Sequence, residues 1–284
     1  MLGKLLKYEW KNSKNVGMLL IGIVLGVSVL GMFYLFSPLW TELFRNGVFG
    51  DFFFLGAFFG FGGLMVYAII LSTVVSAFMI YLAVKYYRSM FRAEGYLTHT
   101  LPVKPVEILA AKVLNAGIWM LIFYFVLVSS LAVLAVTAVC TASGIGLGEL
   151  LENAQPVLRD AILELEEEFG TGILELVLTY LLYFLVGAFT GPMILFGALS
   201  LGHYSKKNKG MLGILAYFGI LFFMMILNNA IVTAYYSVTG IRNGFQNNSY
   251  LLTPYRIYFV TSLIVAVILF FWTKHIITKR LNLE

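Results

Sequence analysis

Long apolar stretches alternate with short polar ones along this 284-residue chain. In helical conformation, about 20 apolar residues cross the hydrocarbon core of a bilayer, which is roughly 30 Å thick. By that criterion the pattern predicts an all-α integral membrane protein with six transmembrane helices. The predicted spans are about 16–36, 62–85, 113–139, 173–200, 211–236 and 256–273.

The chain opens with an amphipathic segment, residues 1–15, in which apolar residues recur at helical spacing and lysines fill the positions between them. The apolar residues are Leu2, Leu5, Leu6 and Trp10, and the lysines are Lys4, Lys7, Lys11 and Lys14. This pattern predicts a helix in the membrane interface with its lysines toward anionic headgroups. A basic tail that only sets the topology is the alternative.

A polar interruption between the second and third predicted spans, residues 86–112, predicts two short helical pieces around a turn. Apolar side chains before Gly95 share one helical face. Glycine commonly ends a helix in the left-handed conformation, and Pro105 suits the first turn of a new helix. The segment is therefore interpreted as a compact basic knob that is continuous with a span at each end. A plain connecting loop is the alternative.

The only long polar region predicted on the opposite side is about 141–172. Within it, residues 155–169 predict an amphipathic helix with Pro156 in its first turn and Gly170 after its last. Its clustered acidic residues are Glu164, Glu166, Glu167 and Glu168. Such a cluster would raise the local concentration of a cationic substrate. An acidic, solvated cap over the helices is the alternative.

The distribution of charge gives the six spans one orientation. With both termini inside, all but four of the 19 Lys and Arg residues lie on the inner side. The four exceptions are Arg45, Arg159, Arg242 and Arg256. All but four of the 14 Asp and Glu residues lie outside. Because inner loops of membrane proteins are enriched in basic residues, we expect a multi-pass cell-membrane protein with both termini in the cytoplasm.

Composition and motif content narrow the possible functions. Only 12% of the residues are charged, about half the fraction of a soluble domain, so residues 1–284 are interpreted as a single transmembrane domain. The sequence lacks a G-x-x-x-x-G-K-[ST] phosphate loop and predicts no catalytic residue, cofactor or metal site, and hence no enzyme. Its one cysteine, Cys140, excludes an internal disulfide. Scarce charge at the span centres disfavours proton-coupled and ion-coupled carriers.

Two pairs of residues inside the spans each have two interpretations. Asn228 and Asn229 need hydrogen-bond partners in hydrocarbon, so they either join neighbouring helices or line a translocation pathway. Gly191 and Pro192 predict a kink, which serves either helix packing or a conformational change. We favour interhelical hydrogen bonding for the first pair and packing for the second.

Four short sequences and one further lysine carry a resemblance to a known family. They are Glu94-Gly95-Tyr96-Leu97, then Thr100-Leu101-Pro102-Val103 with Lys112, and the chain ends Leu5-Leu6-Lys7-Tyr8-Glu9 and Lys279-Arg280-Leu281-Asn282-Leu283-Glu284. They resemble type-2 ABC transporter permeases of Gram-positive bacteria, with the first two in the cytoplasmic loop. The spans between them are similar only as hydrophobic segments. Lys104 followed by Pro105 departs from the serine that often caps the next helix in such loops.

The resemblance implies the permease subunit of an ATP-driven exporter. A separate ATPase subunit would hold ATP and Mg²⁺, and a second permease, identical or paralogous, would complete the membrane part. The 86–112 loop would be the contact with the ATPase, through Arg88, Met90, Phe91, Arg92, Glu94, Tyr96 and Leu101. The substrate, whether a peptide, a lipid or a drug-like molecule, stays open. A membrane scaffold or regulatory subunit that binds an ATPase or a sensor and transports nothing is the alternative.

Overall fold

Helices account for every regular element in the described part of this computed structural model, namely residues 1–37, 53–92, 94–95, 100, 102–144, 146–152, 154–204, 208–238 and 252–279. In chain order they are α1 (Leu2–Leu35), α2 (Phe53–Phe91), α3 (Pro105–Ser143), α4 (Leu147–Glu152), α5 (Ala154–Phe169), α6 (Ile173–Leu201), a short 3-10 helix (Gly202–Tyr204), α7 (Lys209–Val238) and α8 (Thr253–Lys279). Six of these, α1, α2, α3, α6, α7 and α8, are long and apolar enough to cross a membrane. The prediction of an all-α membrane protein with six spans is confirmed.

The first three long helices extend well beyond the predicted spans. The predicted interfacial helix and the first span form one uninterrupted helix of 34 residues, α1, so the boundary expected near residue 15 was wrong. Helices α2 and α3 have 39 residues each. At a rise of about 1.5 Å per residue, each is about 50–60 Å long, which exceeds the roughly 30 Å hydrocarbon core. Both therefore include at least two turns outside the bilayer.

Helix ends follow the predicted signals at three positions out of four. Pro105 begins α3, where the Lys104 carbonyl accepts hydrogen bonds from the first-turn amides of residues 107 and 108. Pro156 lies in the first turn of α5, and Gly170, at φ 60°, directly follows that helix. The fourth prediction was wrong, because α2 ends at Phe91, and the described glycines with positive φ are Gly144 and Gly170, not Gly95.

The chain divides into two compact units, and α1, α2 and α3 contribute residues to both. The first unit comprises residues 1–12, 80–121 and 162–284, and the second comprises residues 13–79 and 122–161. In the first unit, α6 packs against both α7 and α8. A Cβ atom on Gly197 of α6 would lie 2.8 Å from Cβ of Leu269 on α8, so glycine allows these two helices to approach closely.

A buried hydroxyl cluster joins α1, α2 and α3 within the second unit. Ser28 Oγ of α1 lies 2.6 Å from Ser130 Oγ of α3 and 3.2 Å from the Tyr67 hydroxyl of α2. Tyr67 also hydrogen-bonds Ser130. An apolar contact between Phe78 and Phe123, with ring centroids 4.8 Å apart, adds to the packing. Because hydrocarbon offers these hydroxyls no partners, the cluster satisfies them within the bundle.

Candidate functional site

Glu9 of α1 lies at the centre of a buried cluster of charged side chains in the first unit. Its Oε2 atom is 3.0 Å from Lys85 Nζ, and its Oε1 atom is 2.5 Å from Lys112 Nζ. We call Glu9, Lys85 and Lys112 the charge triad. Lys85 belongs to α2 and Lys112 to α3, so the triad joins three helices. The side chains are 12%, 13% and 6% exposed, respectively.

Further hydrogen bonds complete the surroundings of the triad. Lys112 also donates to Ser89 Oγ at 2.8 Å, and Lys85 donates to the Glu9 carbonyl oxygen at 3.3 Å. A small cavity beside the carboxylate is lined in addition by Asn115 and Tyr86. One carboxylate faces two ammonium groups, so the triad carries a net charge of +1. Buried charges require such pairing, since the interior solvates them poorly.

The sequence places Glu9 opposite the exposed lysines of the same helix. Successive residues of an α-helix are 100° apart, so Lys4, Lys7 and Lys11 form a stripe on the side directly away from Glu9. All three lysines are exposed. Trp10 lies 100° around the helix from Glu9, and its indole stacks on Trp119 of α3 with ring centroids 4.6 Å apart. The apolar side chains predicted to share one face of residues 1–15 are partly buried while the lysines are exposed, and the placement of this segment in the membrane interface stays a prediction.

Aromatic contacts connect the end of α2 to the end of α6. Tyr86 stacks on Phe196 with ring centroids 4.3 Å apart, and its hydroxyl lies 2.7 Å from Ser200 Oγ. One turn later, Phe91 stacks on His203 of the 3-10 helix with centroids 3.7 Å apart. Tyr87 contacts the same imidazole at 5.5 Å. The last two turns of α2 are thus held by α6 and the residues that follow it.

The residues predicted to contact an ATPase fall into three groups. Met90 and Phe91 are 0% and 2% exposed, so they belong to the core and offer no surface to a partner. Arg88, Arg92 and Glu94 are exposed. Tyr96 and Leu101 lie outside the described residues. Of the predicted set, the structure therefore places three charged side chains on the surface, and the contact itself stays a prediction.

The three exposed charges lie close together at the end of α2. We call Arg88, Arg92 and Glu94 the charged tip. Arg88 Nη2 lies 3.3 Å from Glu94 Oε1. The Arg92 guanidinium carbon lies 5.8 Å from the centroid of the Tyr87 ring, in cation–π geometry. An exposed pair of this kind adds little stability.

Asn228 and Asn229 of α7 make different hydrogen bonds. Thr261 Oγ1 of α8 donates to Asn228 Oδ1 at 2.6 Å, which is the interhelical hydrogen bond that we favoured. Asn229 is exposed, and its Nδ2 atom donates to the Met225 carbonyl of its own helix at 2.8 Å. A pathway role for either residue stays a prediction.

Gly191 and Pro192 lie within α6, where Pro192 is buried at the start of the helix's most buried stretch. The structure therefore places this pair against protein. That location agrees with a role in packing, and a hinge role stays a prediction.

The acidic residues of α5 do not share one environment. Glu164, Glu167 and Glu168 are exposed, whereas Glu166 is partly buried. Glu166 Oε1 accepts a hydrogen bond from the backbone N–H of Ile173 at 2.7 Å. This carboxylate therefore satisfies a free amide at the start of α6 and also lies at the positive end of the helix dipole.

From the sequence, Lys85 is only a topology signal, Lys112 and Glu9 belong to the stretches that carry the family resemblance, and none of the three is predicted to pair with another. The sequence does contain one signal for Glu9, because it is the one acidic residue among the lysines of residues 1–15. Its two partners lie at the inner ends of the predicted second and third spans. What sequence does not indicate is that these three positions meet.

Comparisons of the chain with models of known protein families, with curated proteins and with solved structures found no match. The charge triad and the aromatic contacts join the last turns of α2, next to the charged tip, to α1, α3 and α6.

Proposed function

We propose that this chain is the permease subunit of an ATP-driven exporter, and that the 86–112 loop receives the movement of a separate ATPase. One observation carries the proposal: the charged tip is exposed, while its neighbours Met90 and Phe91 are buried. A partner bound to the tip therefore has a firm connection to α2. Loop and tip would be cytoplasmic, in keeping with the positive-inside rule.

The mechanism requires a partner that changes shape with its nucleotide. When two ATPase subunits close on ATP, the loops bound to them would approach each other. Because α2 and α3 continue without interruption from the loop into the predicted spans, the approach would tilt these helices. A second permease, identical or paralogous, would provide the other half of an alternating-access pathway. ATP and Mg²⁺ would bind to the ATPase only.

Charge reversal at the tip tests the docking surface. We expect Arg92→Glu combined with Glu94→Lys to lower the amount of ATPase that co-purifies with the chain, since charged groups at an interface select the partner. Insertion and thermal stability should be unchanged, because both side chains are exposed. The matched control is Glu168→Lys, an equally exposed acid on α5, which should not alter co-purification.

The measurement is purification of the native complex in mild detergent, followed by mass spectrometry of the bound proteins. A P-loop ATPase that is recovered with the unmodified chain and is reduced by the tip variant supports the proposal. Recovery of the chain alone, or with a membrane protein and no ATPase, would contradict it. A stable ATPase complex whose hydrolysis responds to no solute would instead favour the scaffold alternative.

A further inference from the structure

We propose that Glu9 is a positioning residue that fastens the N-terminal segment, residues 2–12, to both sides of the 86–112 loop. The segment then belongs to the apparatus that transmits movement from the loop. This transmitting role rests on the proposed function, whereas the fastening itself does not. The supporting geometry is the charge triad, in which one carboxylate uses each oxygen for a different lysine.

The two lysines bracket the loop along the chain. Lys85 lies on α2 just before it, and Lys112 lies on α3 at its last position. Glu9 therefore holds the entry and the exit of the loop at a fixed separation. Ser89, which accepts a hydrogen bond from Lys112 at 2.8 Å, adds a direct link between α2 and α3.

Contacts on either side of Glu9 fix the orientation of the segment. Trp10 stacks on Trp119 of α3 at an interplanar angle of 14°. The Tyr81 hydroxyl of α2 donates to the Asn12 carbonyl oxygen at 3.2 Å. The segment thus contacts α2 through Asn12, α3 through Trp10, and both helices through Glu9. Rotation or sliding of the segment would break all three contacts together.

A buried charge triad of this kind adds little to the free energy of folding by itself. The cost of removing charges from water commonly cancels their attraction, and apolar replacements of similar volume often stabilise a protein as well or better. Paired buried charges do, however, accept few alternative arrangements. The triad therefore explains a fixed register of three helices better than it explains a gain in folding free energy.

Spin-label distances in the purified chain test the fastening without any partner. Lys7→Cys and Lys104→Cys in a Cys140→Ser background place labels on exposed positions of the segment and of the loop's exit. We expect a narrow peak in the distance between the two labels when Glu9 is unmodified. The same peak is expected for Glu9→Asp, which keeps the charge. Glu9→Gln should lose that peak. Glu94→Gln is the matched control, and it should keep the peak because it alters only the exposed pair.

A double variant separates bridging from simple neutralisation. Glu9→Gln raises the triad's net charge from +1 to +2, and adding Lys112→Gln returns it to +1 without restoring the bridge. If Glu9 positions the segment, Glu9→Gln/Lys112→Gln also lacks the narrow peak. A peak as narrow as that of the unmodified chain would overturn the proposal. Should Glu9→Gln fail to fold, Glu9→Asp and the double variant still decide.

Hydrogen exchange in the native complex tests the transmitting role. If an ATPase co-purifies, adding ATP should change amide exchange in residues 2–12 as well as in the loop. In Glu9→Gln/Lys112→Gln the loop should still respond and the segment should not. An unchanged response of the segment in that variant would overturn the role. If no ATPase co-purifies, the proposed function fails, and the spin-label result still decides the fastening.

Discussion

At the scale of single residues, burial decides which of the predicted contact residues face a partner. Phe91 and Met90 share the helical face that the sequence indicated, and that face is packed inside the first unit. Arg88 in the last turn of α2, and Arg92 and Glu94 just after it, are exposed. Phe91 stacks on His203 and so does not face a partner.

Glu166 gives the first prediction at this scale. Glu166→Ala removes the acceptor for the Ile173 amide and should lower the free energy of unfolding by about 1 kcal/mol, the usual effect of losing a helix cap. Thermal unfolding in detergent measures the change. Glu168→Ala, an exposed acid of the same helix, serves as the control and should have almost no effect. Equal melting temperatures for the two variants would contradict the capping role.

At the scale of elements, Gly202, which directly follows α6, lies against the backbone at the start of α7. A Cβ atom on Gly202 would lie 2.6 Å from the backbone nitrogen of Gly213 and closer still to the Lys209 carbonyl oxygen. Both obstacles are backbone atoms, which a rotamer change cannot relieve. The 3-10 helix that contains Gly202 also carries His203, which stacks on Phe91 at the end of α2.

Gly202→Ala should destabilise this 3-10 turn by about 1–3 kcal/mol, the range found for overpacked sites. The control is Gly219→Ala within α7, where a Cβ would meet nothing within 4 Å. Because alanine is the better helix former, the control should melt at the same temperature or higher. Melting curves of the two variants in one detergent provide the test. A Gly202 variant as stable as the control would show that the turn can shift.

At the scale of the whole molecule, the distribution of charge determines the expected orientation in the membrane. One feature of the first unit agrees with it: Arg256 at the start of α8 pairs with Glu175 at the start of α6, with 2.6 Å between Nη2 and Oε1. Those two helices therefore begin on the same side, as the predicted topology requires.

Labelling of introduced cysteines tests that orientation. In a Cys140→Ser background, Glu168→Cys should react with a membrane-impermeant maleimide added to intact cells, since α5 is expected outside. Lys7→Cys and Lys104→Cys should react only after the membrane is permeabilised. All three positions are exposed, so differences in reactivity report sidedness. The opposite labelling pattern would reverse the topology and place the charged tip outside, away from any ATPase.

The sequence by itself determined the fold class, the number of spans and several helix ends. These features depend on residues close together in sequence, such as apolar runs of membrane-spanning length, Pro105 and Gly170. They can therefore be predicted without the tertiary structure. The sequence also indicated the 86–112 loop, whose contact with an ATPase stays a prediction. It misjudged the first helix, because the polar turns of residues 1–15 look like a separate element although nothing in them breaks a helix.

Tertiary structure alone decided which residues of that loop are exposed and what holds it. Glu9, Lys85 and Lys112 are far apart along the chain, and so are Phe91 and His203. Local periodicity carries no information on such pairs, because their contact depends on how long helices pack and in what register. The same packing turned Phe91 inward and left the charged tip outside. The sequence thus determines where the helices lie along the chain, whereas the charge triad and the charged tip form only when those helices pack.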